Sequence, residues 1–402
     1  MPMLRYRSIL PVLLSASLLG GCSASRRAAP DPPLRQGDTV LQQSAAQYRV
    51  LLEKLPAGKL PRNFDPKTGQ LATSGPGWWC SGFYPGTLLY LFEATKDSIL
   101  YAEAMRVLPL LEKEQFNTST HDLGFMMLNS YGNAMRFAPK AEWRQVLLQS
   151  ARSLATRFNP KVGAIRSWNA KPGEFLVIID NMMNLELLFW ASRESGDPSF
   201  RDIAVKHAET TMAHHFRPDF SSYHVLNYDS ATGAVLQKRT AQGYSDASAW
   251  ARGQAWGLYG YTLMYRETRD PRYLRQAQAI ADFLLAHPRL PADKIPYWDF
   301  DAPNLPDPPR DASAAAIMAA ALLELQDYSH ATEARRYSEA ATAMLRSLMS
   351  AGYRAAPGTN GGFLLQHSVG HLPAGSEVDV ALTYADYYFV EALLRYRAHA
   401  GK

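Results

Sequence analysis

The chain of 402 residues predicts an all-α fold, an (α/α)6 barrel built from six helical hairpins, and three observations lead there. Strand-like alternation is sparse, and 3.6-residue periodicity dominates. The helical segments come in two kinds, one amphipathic and charged, the other apolar and rich in aromatic and small residues. The two kinds alternate strictly, six of each, as expected of outer helices with one wet face and inner helices buried on most sides.

The N-terminus stands apart from this pattern. Arg5 and Arg7 precede an apolar run, residues 9–19, too short to span a bilayer, and small residues then lead into Cys22. The order of basic, apolar and small residues is that of a secretory signal over residues 1–21. A Cys directly after it resembles the bacterial lipobox, with Cys22 lipidated as the first mature residue. Ser23 in the next position points to the outer membrane, on the face towards the periplasm. Residues 22–37, rich in Ala, Pro and Arg, read as a tether, leaving residues 38–402 as one barrel domain.

Charged segments start near Asp38, Asp97, Lys140, Asp197, Asp270 and Ala331. Two of them open with Asp-Pro, at Asp197-Pro198 and Asp270-Pro271. The Asp can accept the free N–H groups of the first turn, and Pro lacks the one that would be wasted. Apolar segments run near 82–95, 124–135, 181–195, 248–268, 312–328 and 378–398. Four longer irregular stretches, 158–178, 214–245, 287–310 and 352–377, carry Trp168, His224 and Trp298. Long connections on a rigid scaffold are where sites gather, so they are expected to line one open end of the barrel.

Composition narrows the chemistry. The net charge is +5, and losing Arg5 and Arg7 with the leader brings it to +3. No basic stripe accompanies it, so nucleic acid is not a partner, while an anionic oligosaccharide is mildly favoured. If Cys22 carries lipid, Cys80 is alone, which rules out an internal disulfide and a Cys-pair zinc site. His214-His215 lacks a third ligand. No metal or cofactor is implied. There is no G-x-S-x-G elbow, H-E-x-x-H, P-loop or G-x-G-x-x-G. Carboxylate chemistry remains, and it suits a sugar substrate.

Asp122, in His121-Asp122-Leu123-Gly124-Phe125, and Asp180, in the Ile178–Asn184 segment, each precede an apolar inner helix. Helix capping accounts for either one alone. As a pair at adjacent inner-helix mouths they converge on the barrel axis, where an apolar rim would raise one pKa and yield a proton donor near neutral pH. A third cluster runs from His224 through Gln242 to Arg252 and Trp256. The last two are one turn apart and share a face. Arg252 needs an anion, either a structural Asp such as Asp246 or a substrate carboxylate held bidentately, and Trp256 is a candidate stacking wall.

The strings HDLGF, IDNMMNLELL, SYHVLNYD, QGYSDASAWARGQAWGLYGY and TYADYYFVEALLRY resemble the unsaturated glucuronyl hydrolases, family 88 of the glycoside hydrolases. The resemblance extends over residues 77–396, with Ala385 standing where Gly is expected. It implies the same barrel and assigns Asp180 as general acid/base and Asp122 as a second essential carboxylate. His224, Gln242 and Arg252 become polar groups around the reacting ring, Trp168 and Trp256 sugar-stacking aromatics, and His121 a neighbour of the second Asp. Trp79 or Phe83 corresponds to a further aromatic contact. The implied substrate is an oligosaccharide ending in a 4,5-unsaturated uronate, as polysaccharide lyases leave it. Protonation of C4 would generate an oxocarbenium ion at C5, water would add there, and the hemiketal would open to expel the aglycone. The competing readings are an unsaturated rhamnogalacturonyl hydrolase, an epimerase or isomerase, which would need a His pair in the cavity, and a non-catalytic glycan-binding lipoprotein. Residues 355–394 hold no Lys or Arg, so a sulfated second sugar is expected to be disfavoured if the 361–377 loop faces it.

Overall fold

The computed structural model describes residues 32–169 and 174–400; the leader, Cys22 and residues 23–31 of the tether lie outside the described residues. Helix α1 spans Pro32–Lys54, so it begins inside the segment expected to be tether. It is followed by α2 (Phe83–Thr95), α3 (Ser98–Leu111), a π-helical stretch Gly124–Gly132 ending in the short turn α4 (Asn133–Met135), and α5 (Ala141–Ala155). A 3-10 segment Ile179–Asn184 leads into α6 (Leu185–Ser195), then come α7 (Pro198–His214), α8 (Ala251–Thr268), α9 (Pro271–Ala286), α10 (Ala312–Leu325), α11 (Ala331–Leu348) and α12 (Thr383–Ala400). The inner ring closes: α2 packs on the π-helical stretch, that on the 179–195 helix, that on α8, α8 on α10, α10 on α12, and α12 back on α2. The protein is therefore an (α/α)6 barrel, with the alternation of polar and apolar segments as its cause. No helix among the described residues is long and apolar enough to cross a membrane.

Connections at the two mouths differ sharply. From inner to outer helix, three turns are two residues long: Lys96-Asp97, Gly196-Asp197 and Arg269-Asp270. In each, the first residue is left-handed and its N–H closes the inner helix on Phe92, Ser192 or Tyr265. The second is an Asp whose carboxylate accepts from Ile99, Ser199 or Arg272 N–H at 3.0, 2.9 and 2.9 Å, capping the outer helix. The Asp-Pro starts at 197 and 270 are thus N-caps, as the sequence predicts.

From outer to inner helix the connections are long, and they contain short strands that the sequence reading does not anticipate. β1 (Leu60–Asp65) and β2 (Gln70–Ser74) form a hairpin. β3 (Phe158–Asn159), β4 (Ala164–Ile165) and β5 (Glu174–Ile178) precede the third inner helix. β6 (Val225–Asp229) and β7 (Val235–Arg239) precede α8, and β8 (Ser368–His371) and β9 (Ser376–Leu382) precede α12. They pair antiparallel in the orders β2-β1-β9-β8, β3-β4 and β5-β6-β7. Strands of two to seven residues carry too few alternations to register as a period.

Close helix approach at this mouth depends on Gly82, just before α2. A Cβ there would lie 2.2 Å from the carbonyl oxygens of both Phe125 and Met126, and backbone cannot yield as a side-chain tip can. Gly82→Ala is expected to destabilise the protein by about 3 kcal/mol or more through overpacking. Gly75→Ala, with no neighbour within 4 Å, is expected to be near neutral. Denaturant unfolding of both variants checks this.

Candidate active site

A pocket of about 240 Å³ opens at the mouth formed by the long connections, and Asp122 and Asp180 both line it. Trp168, Gln242, Arg252 and His121 line it too. A larger cleft of about 670 Å³ lies at the opposite mouth. There Arg266 pairs with Glu186 and Glu324, and Arg395 with Glu324 and Glu391. That cleft is occupied by charges that already neutralise one another.

Asp180 stands in the 3-10 turn after β5. The β5–β6 ladder pairs Ile178 with Val225, and Ile179 N–H then bonds to His224 O at 3.1 Å, which sets Asp180 beside His224. Its side chain is only 14% exposed, its Oδ2 is buried without a hydrogen bond, and His224 Nε2 lies 3.8 Å from it. Burial raises its pKa to about 7, against the lowering effects of the Arg252 charge and of the Trp256 indole. Asp122 pushes in the same direction as burial. Trp256 Nε1 makes no hydrogen bond of normal geometry, so its effect on Asp180 is that of a nearby dipole.

His224 is buried, and its Nδ1 accepts from the backbone N–H groups of Ala241 and Gln242, both at 3.2 Å. That fixes the proton of the neutral ring on Nε2, the nitrogen facing Asp180. Burial, aided by Arg252, holds its pKa well below the usual histidine value, so it stays neutral. Trp250 stacks on it at 4.4 Å and Trp168 meets it edge-on at 6.1 Å.

Asp122 lies two residues before the widened π-helical stretch, a form that recurs at functional sites. It does not cap that helix. Its Oδ2 accepts from the Thr120 hydroxyl at 2.7 Å, and its Oδ1 lies 3.3 Å from His121 Nε2. His121 is buried, which lowers its pKa against the pull of Asp122. Asp180 is likewise no cap, since no side chain caps the 179–184 turn. The capping explanation fails for both residues.

Two expectations are corrected. Arg252 is 1% exposed, and its acidic partner is Asp311, at 3.4 Å, rather than Asp246. Its Nη1 and Nη2 also donate to Val369 O and, at 2.7 Å, Gly370 O, and it lies over Trp250 at 4.5 Å. Most of its hydrogen-bonding capacity goes into holding β8 against the barrel. Trp256, also 1% exposed, is no stacking wall: it packs one turn deeper against Phe125 and Tyr388, outside the pocket lining. Trp298 is likewise core. Phe83 is fully buried, and of that pair it is Trp79 that lines the pocket.

The rim contains residues that sequence reasoning misses. Arg62 and Trp78 come from the β1–β2 hairpin and the turn after it, and Tyr384 from the start of α12. Arg62 Nε bonds to Glu377 at 2.7 Å and its guanidinium lies 4.5 Å over the half-exposed Trp78 ring. The 361–377 loop does reach the site through His371, Ser376 and Glu377, and the cation it lacks arrives from Arg62. His371 Nε2 donates to Ala241 O at 2.8 Å, tying this loop to the one after β7. Gln242 Nε2 reaches Gly370 O at 3.2 Å across the same gap. The Trp78-Trp79 doublet was the available signal. Asp311, an Asp before an apolar helix, carried the same signal as Asp122 and Asp180.

No protein-family model matches the chain. Individual proteins do. The chain is 48% identical over 320 residues, 79% of its own length and 79% of the relative's, to the unsaturated glucuronyl hydrolase of Formosa agariphila. It is 34% identical over 337 residues, 82% and 84% of the two lengths, to the unsaturated chondroitin disaccharide hydrolase of Streptococcus pyogenes. Among solved structures it superposes on an unsaturated glucuronyl hydrolase specific for heparin with a TM-score of 0.89 and 46% identity, over 92% of this chain and 98% of that one. Helix order, pocket and sequence agree, and the chain belongs to the unsaturated glucuronyl hydrolases.

Proposed function

We propose that the protein releases the terminal 4,5-unsaturated glucuronic acid from oligosaccharides left by polysaccharide lyases, with Asp180 as the proton donor. The observation that carries this is one largely buried carboxyl with a pKa of about 7 and an unpaired oxygen, in a pocket it shares with a second carboxylate. An acid is most effective when its pKa lies near the working pH. Asp180 meets that condition because it is largely withdrawn from water.

The substrate's C4=C5 double bond is a vinyl ether, and C4 is its basic carbon. Proton transfer from Asp180 to C4 leaves positive charge shared by C5 and the ring oxygen. The new Asp180 anion sits near Arg252 and the Trp256 dipole, which both favour the charged form. It can then take a proton from the water that adds to C5. The hemiketal so formed opens and expels the aglycone. Asp122, held by Thr120 and His121, supports the developing cation electrostatically. His224 presents an N–H, not a base, and so does not compete for the proton of Asp180.

The relative specific for heparin directs the choice of first substrate to unsaturated heparin disaccharides, with chondroitin disaccharides in parallel. Attachment to the outer membrane through lipid on Cys22, facing the periplasm, completes the reading; it rests on the sequence of residues 1–23.

Three outcomes are expected of the catalytic pocket. Asp180→Asn reduces turnover, followed as loss of the 235 nm absorbance of an unsaturated disaccharide, by at least about 10²-fold, the lower end of general-acid contributions. Retention of more than a few per cent of activity would exclude Asp180 as the acid. In the wild type, kcat/KM falls as pH rises through about 7, because the raised pKa makes the protonated form dominant only below that value. Arg252→Ala lowers stability by about 3–5 kcal/mol, since it leaves Asp311 buried without its counter-charge; chemical denaturation measures this. Separately, Cys22→Ala is expected to shift the protein from the detergent phase to the soluble fraction, or to block maturation, in a Triton X-114 partition.

A further inference from the structure

A further cleft, of about 640 Å³, is lined by residues next in sequence to those of the catalytic pocket. It lies between the C-terminal end of α5, the β3–β4 hairpin and β5, and three cations line it: Arg157, Lys161 and Arg166. Among the described residues its polar lining is otherwise neutral, from Thr118, Asn169 and Ser230 among others, and no carboxylate contributes to it. Among the described residues none of the three cations forms an ion pair. The acids next in sequence to the lining, Glu174 and Asp229, pair with neither arginine nor with Lys161.

Arg157 is the base of this cleft. It is buried, and its Nε donates to Arg166 O at 2.8 Å, its Nη2 to Ser167 O at 3.2 Å, and its Nη1 to Asn169 Oδ1 at 3.2 Å and to Thr118 O. Hydrogen bonds to carbonyls satisfy its donors but do not cancel its charge. Burial pushes its pKa down to about 10, the Arg166 charge pushes the same way, and Asp122 opposes both. Arg166 lies 4.9 Å over the Phe175 ring, and its Nε is buried without a partner. A buried arginine and a neighbour with a free donor, sharing one cleft without an acid, form a site short of negative charge.

Its position relates it to the substrate. Asn169 follows Trp168, a wall of the catalytic pocket, and Thr118 is four residues before Asp122. A terminal sugar that fills the catalytic pocket leaves the rest of its chain to run out over this mouth.

We propose that this cleft binds an anionic group, a sulfate ester or a carboxylate, carried by a sugar beyond the second ring of an oligosaccharide substrate. The proposal rests on the hydrolase reading above and adds to it a preference for chain length. A disaccharide is too short to use the cleft, whereas a tetrasaccharide from the same polysaccharide reaches it.

The test compares unsaturated di- and tetrasaccharides from one parent glycosaminoglycan, with the wild type and with Lys161→Gln/Arg166→Gln. Loss of 235 nm absorbance on the disaccharide by the wild type tests the hydrolase reading itself; if it is absent, that reading fails independently of the cleft. If it is present, the double variant is expected to raise KM for the tetrasaccharide about five- to tenfold, as loss of two partly exposed charge contacts implies, with kcat and the disaccharide constants unchanged. The wild-type advantage on the tetrasaccharide is also expected to shrink in 0.5 M NaCl. A desulfated tetrasaccharide that loses the advantage identifies sulfate as the ligand, and one that keeps it identifies the internal carboxylate. An unchanged tetrasaccharide KM in the variant, or an equal rise on both substrates, overturns the proposal. A melting temperature equal to that of the wild type excludes misfolding, and Arg166→Lys, which keeps the charge, is expected to restore most of the tetrasaccharide KM.

Discussion

The site depends on one buried guanidinium. Arg252 projects from the first turn of α8, faces the N-cap of α10 through Asp311, and receives the carbonyls of Val369 and Gly370 from β8. Asp311 in turn accepts from Ser313 N–H at 3.0 Å, capping α10. Two inner helices and the last sheet therefore share a single charge. The same charge lies near Asp180 and limits how far burial can raise its pKa. Without it, Asp180 would be a weaker acid still, and less able to give its proton to C4.

Asp122 and Asp180 share the pocket, but their surroundings differ. Asp122 receives a hydroxyl and faces a histidine N–H. Asp180 has a buried oxygen with no hydrogen bond, and the N–H groups that face it, from His224 and Trp256, stand beyond hydrogen-bonding geometry. Withdrawn from water and among dipoles just out of reach, the Asp180 carboxyl holds its proton up to about pH 7.

Much of this was legible in the sequence, and the rest fails for identifiable reasons. The barrel could be read because each inner helix is apolar on most faces and each outer one is not. The Asp197 and Asp270 starts could be read because capping is local chemistry. Asp122 and Asp180 stood out as acids before apolar helices. Arg252 was misread because its partners, Asp311, Val369 and Gly370, are 59 or more residues away. Trp256 was misread because a shared helix face does not fix depth: one turn below Arg252 is already core. Arg62 was missed because the strand that delivers it is six residues long and half-buried, with no clean alternation.

The π-helical stretch Gly124–Gly132 has a consequence for how the pocket could be altered over evolutionary time. A π-helix is commonly an α-helix with one residue too many, so its extra residue sets an angular offset between the chain on its N-terminal side and the chain on its C-terminal side. Excising a single residue there would turn one side of the break by about 100° against the other. Asp122 and His121 lie on the near side of the break; Ser130, Tyr131 and Asn133, which anchor the far side in the core, lie on or beyond it. A deletion that regularised the helix would therefore rotate the carboxylate away from its counterpart while leaving the packing of the far half in phase. The insertion acts as an azimuthal key, and the chemistry of the pocket is indexed to a residue count.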